Sequence, residues 1–83
     1  MINITEKVVN ITQLVLRAER SAVTLEASLR EDLKGSQIEL LELGQMLGSY
    51  FKIVIPSFDV ENWTIVKDIV DYLRTKLSEE IYE

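Results

Sequence analysis

Apolar residues in this chain recur mostly three or four positions apart, the spacing of one helix face. Ile4, Val8, Ile11 and Val15 form the first stripe, widened by Leu14, opposite a polar side of Glu6, Lys7, Asn10 and Gln13. Asn3 and Glu6 stand ahead of it at capping-box spacing. The pattern predicts a core-facing helix from Ile4 to Ala18. From Glu19 to Gly35 the period is lost. A loop of that length in so short a chain is either functional or held down by its own side chains. Ala22, Val23, Leu25, Leu29 and Leu33 favour an anchored crossover, with Leu29 and Leu33 able to share one helical turn.

Periodicity resumes at Gln37 and runs to about Phe51. Ser36 precedes that helix with Glu39 three residues on, the spacing at which hydroxyl and carboxylate cap each other's backbone N–H groups. One stripe is Leu40, Leu43, Leu47 and Tyr50 or Phe51; an offset one is Ile38, Leu41 and Gln45. A helix apolar over more than one face is either central to a bundle or presents a face to something else, and an exposed apolar strip is expected here. Gly44 and Gly48 each cost about 1 kcal/mol relative to Ala. Their spacing suits close approach of a neighbouring helix within the chain more than it suits dimerisation.

Lys52 to Pro56 reads as an extended connector, because a residue before proline is pushed out of helical space. Ser57 to Asn62 suits a short helix anchored by Phe58 and Trp63. Thr64 is placed as the N-cap of a last helix whose stripe is Val66, Ile69, Val70, Leu73 and Leu77. Glu79 to Glu83 is an acidic tail expected to fray, since negative charge at a helix C-terminus is unfavourable. The whole predicts an all-α, four-helix domain over 1–83, three helices long and one short.

Composition narrows function by exclusion. The 83 residues hold no Cys and no His, which removes disulfides, thiol nucleophiles, the usual neutral-pH base and the commonest metal ligand. No acid–base pair and no metal-ligand spacing can be assembled from the scattered Asp and Glu, so no enzyme, catalytic residue or metal is expected. A net charge of −5 argues against nucleic acid. Arg17 and Arg20 are the densest basic pair and make no basic cluster. No apolar run approaches the roughly 20 residues of a membrane span. A cytoplasmic monomer is expected, with an acidic surface suited to basic protein partners.

Particular segments then carry a resemblance. These are Ala27-Ser28-Leu29-Arg30-Glu31-Asp32-Leu33 in the loop, Ile38-Glu39-Leu40-Leu41-Glu42-Leu43 in the central helix, Phe51 with Ile53-Val54-Ile55-Pro56, and Val66-Lys67-Asp68-Ile69-Val70-Asp71-Tyr72-Leu73. From Val23 to Leu73 the chain resembles an acyl carrier protein, the small acidic bundle that carries acyl groups on a phosphopantetheine arm. Phe58-Asp59-Val60-Glu61-Asn62-Trp63 is similar to the discrete carriers of peptide, polyketide or D-alanine pathways as much as to the fatty-acid type. The resemblance implies an acyl-carrier-protein-like four-helix bundle. It also implies an attachment motif of Asp-Ser-Leu at the start of the central helix.

Without a gap, that motif falls on Ser36, Gln37 and Ile38. The arm is a phosphodiester of a serine hydroxyl, and the Gln37 amide has no equivalent nucleophile. A one-residue slip would make Ser36 the attachment serine and bring Gly35 closer to the family's usual glycine, which falls on Lys34 in the ungapped match. It would also turn the helix by about 100° and break the match of Ile38, Leu41 and Leu43 to the core. Gly48, Ser49 and Lys52 occupy positions that are often acidic in the family, so a typical acyl-pathway enzyme should recognise this surface less well.

The leading expectation is therefore a binding module without 4'-phosphopantetheine. It would dock through Ile38, Glu39, Leu41, Glu42 and Gln45 on an acyl-transfer, condensing or adenylating enzyme. The alternatives are a working carrier with 4'-phosphopantetheine on Ser36, a helical module holding a free lipid between its helices, and an engineered Ser→Gln variant made to block loading.

Overall fold

The computed structural model describes residues 3–81, with side chains described as far as Leu77. Four α-helices follow in order: α1 (Ile4–Leu16), α2 (Gln37–Phe51), α3 (Ser57–Glu61) and α4 (Val66–Ile81). A single 3₁₀ turn, Arg20–Ala22, opens the crossover between α1 and α2. The all-α, three-long-one-short expectation holds.

The helices stop where local chemistry stops them. The Asn3 side chain accepts from the Glu6 N–H at the start of α1. At its end Arg17 takes a left-handed conformation, φ 56°, and halts the helix two residues before the expected Ala18. Lys52 does the same after α2, at φ 60°. Residues with a Cβ are disfavoured there, so each turn needs support from elsewhere. The Ile53 N–H, for instance, donates to the Gly48 carbonyl at 2.9 Å.

Burial picks one face of each long helix. Val8, Thr12 and Leu16 are the buried line of α1, while Leu14 is 68% exposed and does not widen the stripe as expected. It lies half a turn from Thr12 and Leu16, where no neighbouring helix covers it. Leu40, Leu43, Leu47 and Phe51 of α2 share one core with Val66, Ile69, Val70 and Leu73 of α4, and Leu77 packs against its edge. Tyr50 is exposed, so Phe51 is the buried member of that pair.

Four further expectations are corrected. Phe58 is no anchor, being 72% exposed, because Val60 is the α3 residue turned to the core. The helix ends at Glu61, with Asn62 as its cap. Thr64 does not cap α4; the Asp68 carboxylate accepts from the Thr64 and Ile65 N–H groups instead. In the crossover Ala22 is exposed, and buried Ala27 joins Val23, Leu29 and Leu33 as its anchors. The expected fraying of Glu79 to Glu83 lies outside the described side chains, although the α4 backbone is helical as far as Ile81.

Both interior glycines of α2 face elements of the same chain. A Cβ on Gly44 would stand 2.5 Å from Val60 Cγ2, and one on Gly48 would stand 2.8 Å from the Ile53 carbonyl oxygen. Real Cβ atoms do not come that close. The glycines seat α3 and the connector against α2.

Candidate functional site

The N-terminus of α2 is built by the segment before it. Ser28 organises a turn in which its carbonyl accepts from the Asp32 and Leu33 N–H groups and its hydroxyl from the Glu31 N–H. The Ser28 N–H in turn donates to the Asp32 carboxylate at 2.8 Å. Leu29 and Leu33 plug this turn into the core, and the Leu29 N–H donates to the Thr64 carbonyl. The Ala27 and Leu25 carbonyls accept from Val66 and Lys67, so the crossover is tied to the start of α4.

Lys34, at φ 60°, reverses the chain into Gly35. Gly35 is required for space: a Cβ there would lie 2.9 Å from the Leu29 carbonyl oxygen and 3.1 Å from Leu40. Ser36 then caps α2 in a complete capping box. Its hydroxyl accepts from the Glu39 N–H at 3.2 Å, and its own N–H donates to the Glu39 carboxylate at 3.0 Å.

Gln37, the first residue of α2, is exposed and bridged on both sides. Its carbonyl oxygen accepts from Arg30 Nη2 at 3.1 Å, and its amide nitrogen donates to Glu61 Oε2 at 3.4 Å. A guanidinium can only donate and a carboxylate only accept, so this pair of neighbours fixes which way the amide points. The side chain spans from the crossover to α3 across the head of the helix. Arg30 and Glu61 were not legible from sequence: they stand seven and 24 positions away, and no local pattern links them to residue 37.

The rest of the candidate surface lies along the front of α2. Ile38 is 71% exposed, Glu42 and Gln45 are exposed, and Leu41 and Glu39 are half-buried. Met46, 43% exposed, extends the apolar strip. One helix face therefore brings together all five expected docking residues, with Glu39 already committed to the cap. Gln45 also borders a shallow groove with Lys52 and Val54 of the connector.

Behind this face, α3 is braced on α4. The Tyr72 hydroxyl donates to Asp59 Oδ2 at 2.7 Å, and the Trp63 and Tyr72 rings meet edge to face at 5.5 Å. Burial, then the bond to Asp59, pushes the Tyr72 hydroxyl up to about 12. Among the described residues no group of three or more Asp or Glu is placed to hold a metal ion, and no helix is long and apolar enough to cross a membrane.

These features define a small helical bundle in which α2 buries one face in the core and leaves the other exposed. No family model matches the chain. It is 40% identical over 70 residues to an acyl carrier protein of Rubrobacter xylanophilus, covering 84% of this chain and 86% of that one. Its identity to an acyl carrier protein of Amoebophilus asiaticus is 35%, over 96% of this chain and all of that one. Among solved structures it is similar to a candidate acyl carrier protein of Mycobacterium tuberculosis, with a TM-score of 0.80 and 26% identity, covering 88% of this chain and 97% of that one. The chain belongs to the acyl carrier protein family, whose members are carriers rather than enzymes.

Proposed function

We propose that this chain is a carrier-fold module that takes no phosphopantetheine arm and serves as a protein-binding component of an acyl or peptidyl pathway. Gln37 carries the proposal. On the ungapped family match it stands at the attachment serine, and its amide offers no hydroxyl from which a phosphodiester could form. Both ends of that amide are already hydrogen-bonded, to Arg30 and Glu61. The arm does not fit residue 37.

The rival is an arm on Ser36, which is exposed and has a hydroxyl. Against it stands the intact capping box, in which that hydroxyl oxygen holds the Glu39 N–H. Losing such a cap costs about 1 kcal/mol. Ile38 is 71% exposed rather than facing the core as expected, so packing opposes the slip through buried Leu43 and half-buried Leu41. Ser36 is better matched to capping.

In the proposed role, Ile38, Leu41 and Gln45 make the contact area, while Glu39 and Glu42 steer a partner with a modest basic patch. Acyl-transfer, condensing and adenylating enzymes are the class of partner, in a cytoplasmic setting. The test is intact mass after incubation with coenzyme A and a broad-specificity phosphopantetheinyl transferase. An unchanged mass is the expected result. Gain of one arm overturns the proposal, and peptide mapping with Ser36→Ala then identifies its site. Gln37→Ser is the informative control, because it restores the nucleophile and leaves the docking face otherwise intact.

A further inference from the structure

The outer face of α1 has no role in anything described so far. Val8, Thr12 and Leu16 take the inner face, so Leu14 projects about 200° round the helix from Thr12. Leu14 is 68% exposed, and with Asn10, Gln13, Arg17 and Ala18 it lines a shallow groove of about 500 Å³. Arg17 lines this groove, and Arg20 reaches its edge through Asn10. Arg17 stands at the helix end, and Arg20 folds back from the 3₁₀ turn so that its Nη1 donates to Asn10 Oδ1.

That last bond sets Arg20 beside α1 rather than leaving it to wander. Glu6 and Glu19 are close in sequence, yet among the described residues neither forms an ion pair with Arg17 or Arg20; the one ion pair is Lys67 with Asp71. Both cations are exposed and unneutralised on a chain of net charge −5. The sign is opposite to that of the α2 front, where Glu42 is exposed and Glu39 half-buried.

We infer that the outer face of α1 is a second docking surface, for an acidic, unphosphorylated segment of a partner protein that carries an apolar side chain. Leu14 receives the apolar group, and Arg17 and Arg20 pair with carboxylates on either side of it. Guanidinium suits this because its planar fork holds a carboxylate by two hydrogen bonds. A basic partner that fits the α2 front is repelled here, so the two faces select partners of opposite charge. The chain can then join two proteins through α1 and α2. This surface does not depend on whether residue 37 or Ser36 carries an arm.

The test uses the full ¹⁵N-labelled chain and a synthetic helical peptide in which Leu and Glu recur four residues apart. At low salt, saturable amide shifts are expected at Asn10, Gln13, Leu14, Arg17, Ala18 and Arg20. Arg17→Asn combined with Arg20→Gln should weaken binding about tenfold, as two exposed ion pairs would. Asn is chosen because it tolerates the left-handed conformation at 17, and Gln because it keeps a donor for Asn10. Leu14→Ser should weaken binding further, and Ile38→Ser on α2 should not. Shifts centred on another face, no saturation, or full affinity in the arginine double variant would overturn the inference. So would equal binding of a peptide with every Leu replaced by Ser, or tighter binding to anionic phospholipid vesicles than to the peptide.

Discussion

The back and the front of α2 are made from the same 15 residues and follow different rules. On the back, Leu40, Leu43, Gly44, Leu47, Gly48 and Phe51 are buried, and two of those six are glycines because neighbouring atoms leave no room for a Cβ. On the front, Gln37, Ile38, Glu42, Gln45 and Met46 are exposed and no packing dictates their identity. The back must stay as it is for the chain to fold. The front is free to specify a partner. Residue 37 belongs to the front, so in the proposed reading the fold keeps its architecture while the attachment position differs.

The largest effects are expected on the back. Gly48→Ala places a methyl group against the Ile53 carbonyl oxygen, a backbone atom that cannot swing aside. The gain of about 1 kcal/mol in helix propensity is outweighed, and a net loss of about 2 kcal/mol is expected in urea unfolding. Gly44→Ala meets a side chain instead, Val60. Its loss should be similar alone but largely relieved in the double variant with Val60→Ala, a coupling that a double-mutant cycle would show. Strict additivity would mean that the Gly44–Val60 contact does not set the spacing of α2 and α3.

A second lever on the same packing is pH. Tyr72 ionises above its ordinary range because folding favours its neutral form. The unfolded chain gives up that proton near pH 10, while the folded chain holds it to about 12. Stability from this group is thus complete below pH 10 and disappears as pH rises through 12. With Tyr72 partly exposed, about 1 kcal/mol is at stake. Urea midpoints from pH 8 to 12 should fall more steeply in the native chain than in Tyr72→Phe, and parallel curves would remove Tyr72 as a brace for α3.

Ser36→Ala sits at the join between back and front. It deletes one half of the capping box and should cost about 1 kcal/mol, with the Glu39→Gln variant retaining most of the cap. Thermal unfolding measures both. A loss below about 0.3 kcal/mol would mean that Ser36 is dispensable to the helix, and its case as an attachment site would strengthen.

How much of this was legible differs between the two sides. The buried line Leu40, Leu43 and Leu47 follows from helical spacing alone, as does the capping box, because both are local in sequence. Gly44 and Gly48 could be read as close-approach positions, but their partners, Val60 and the Ile53 carbonyl, are tertiary facts. Phe58 is exposed for the same reason: the five-residue helix buries a single residue, and Val60 takes that place. Leu14 and Thr12 show the converse. Hydropathy favours Leu for the core, yet geometry turns Thr12 inward, fully buried with no hydrogen-bond partner found for its hydroxyl among the described residues. Charge partners were least legible of all, since the Gln37 bridge joins residues from three separate segments.

The smallest expected effect is the most discriminating for the front. Ile38 exposes 71% of its surface, so little apolar area is lost from the core when it is replaced. Ile38→Ser should change stability by no more than about 0.5 kcal/mol, whereas Leu40→Ser, two residues on and buried, should cost several kcal/mol. A hydrophobe that can be removed without cost to the fold has no folding reason to be there. Its neighbours Leu41 and Met46 extend the same strip, and retaining such a strip in water favours association with another surface. If Ile38→Ser proved as damaging as Leu40→Ser, the front would be part of the core after all, and α2 would have no face left for a partner.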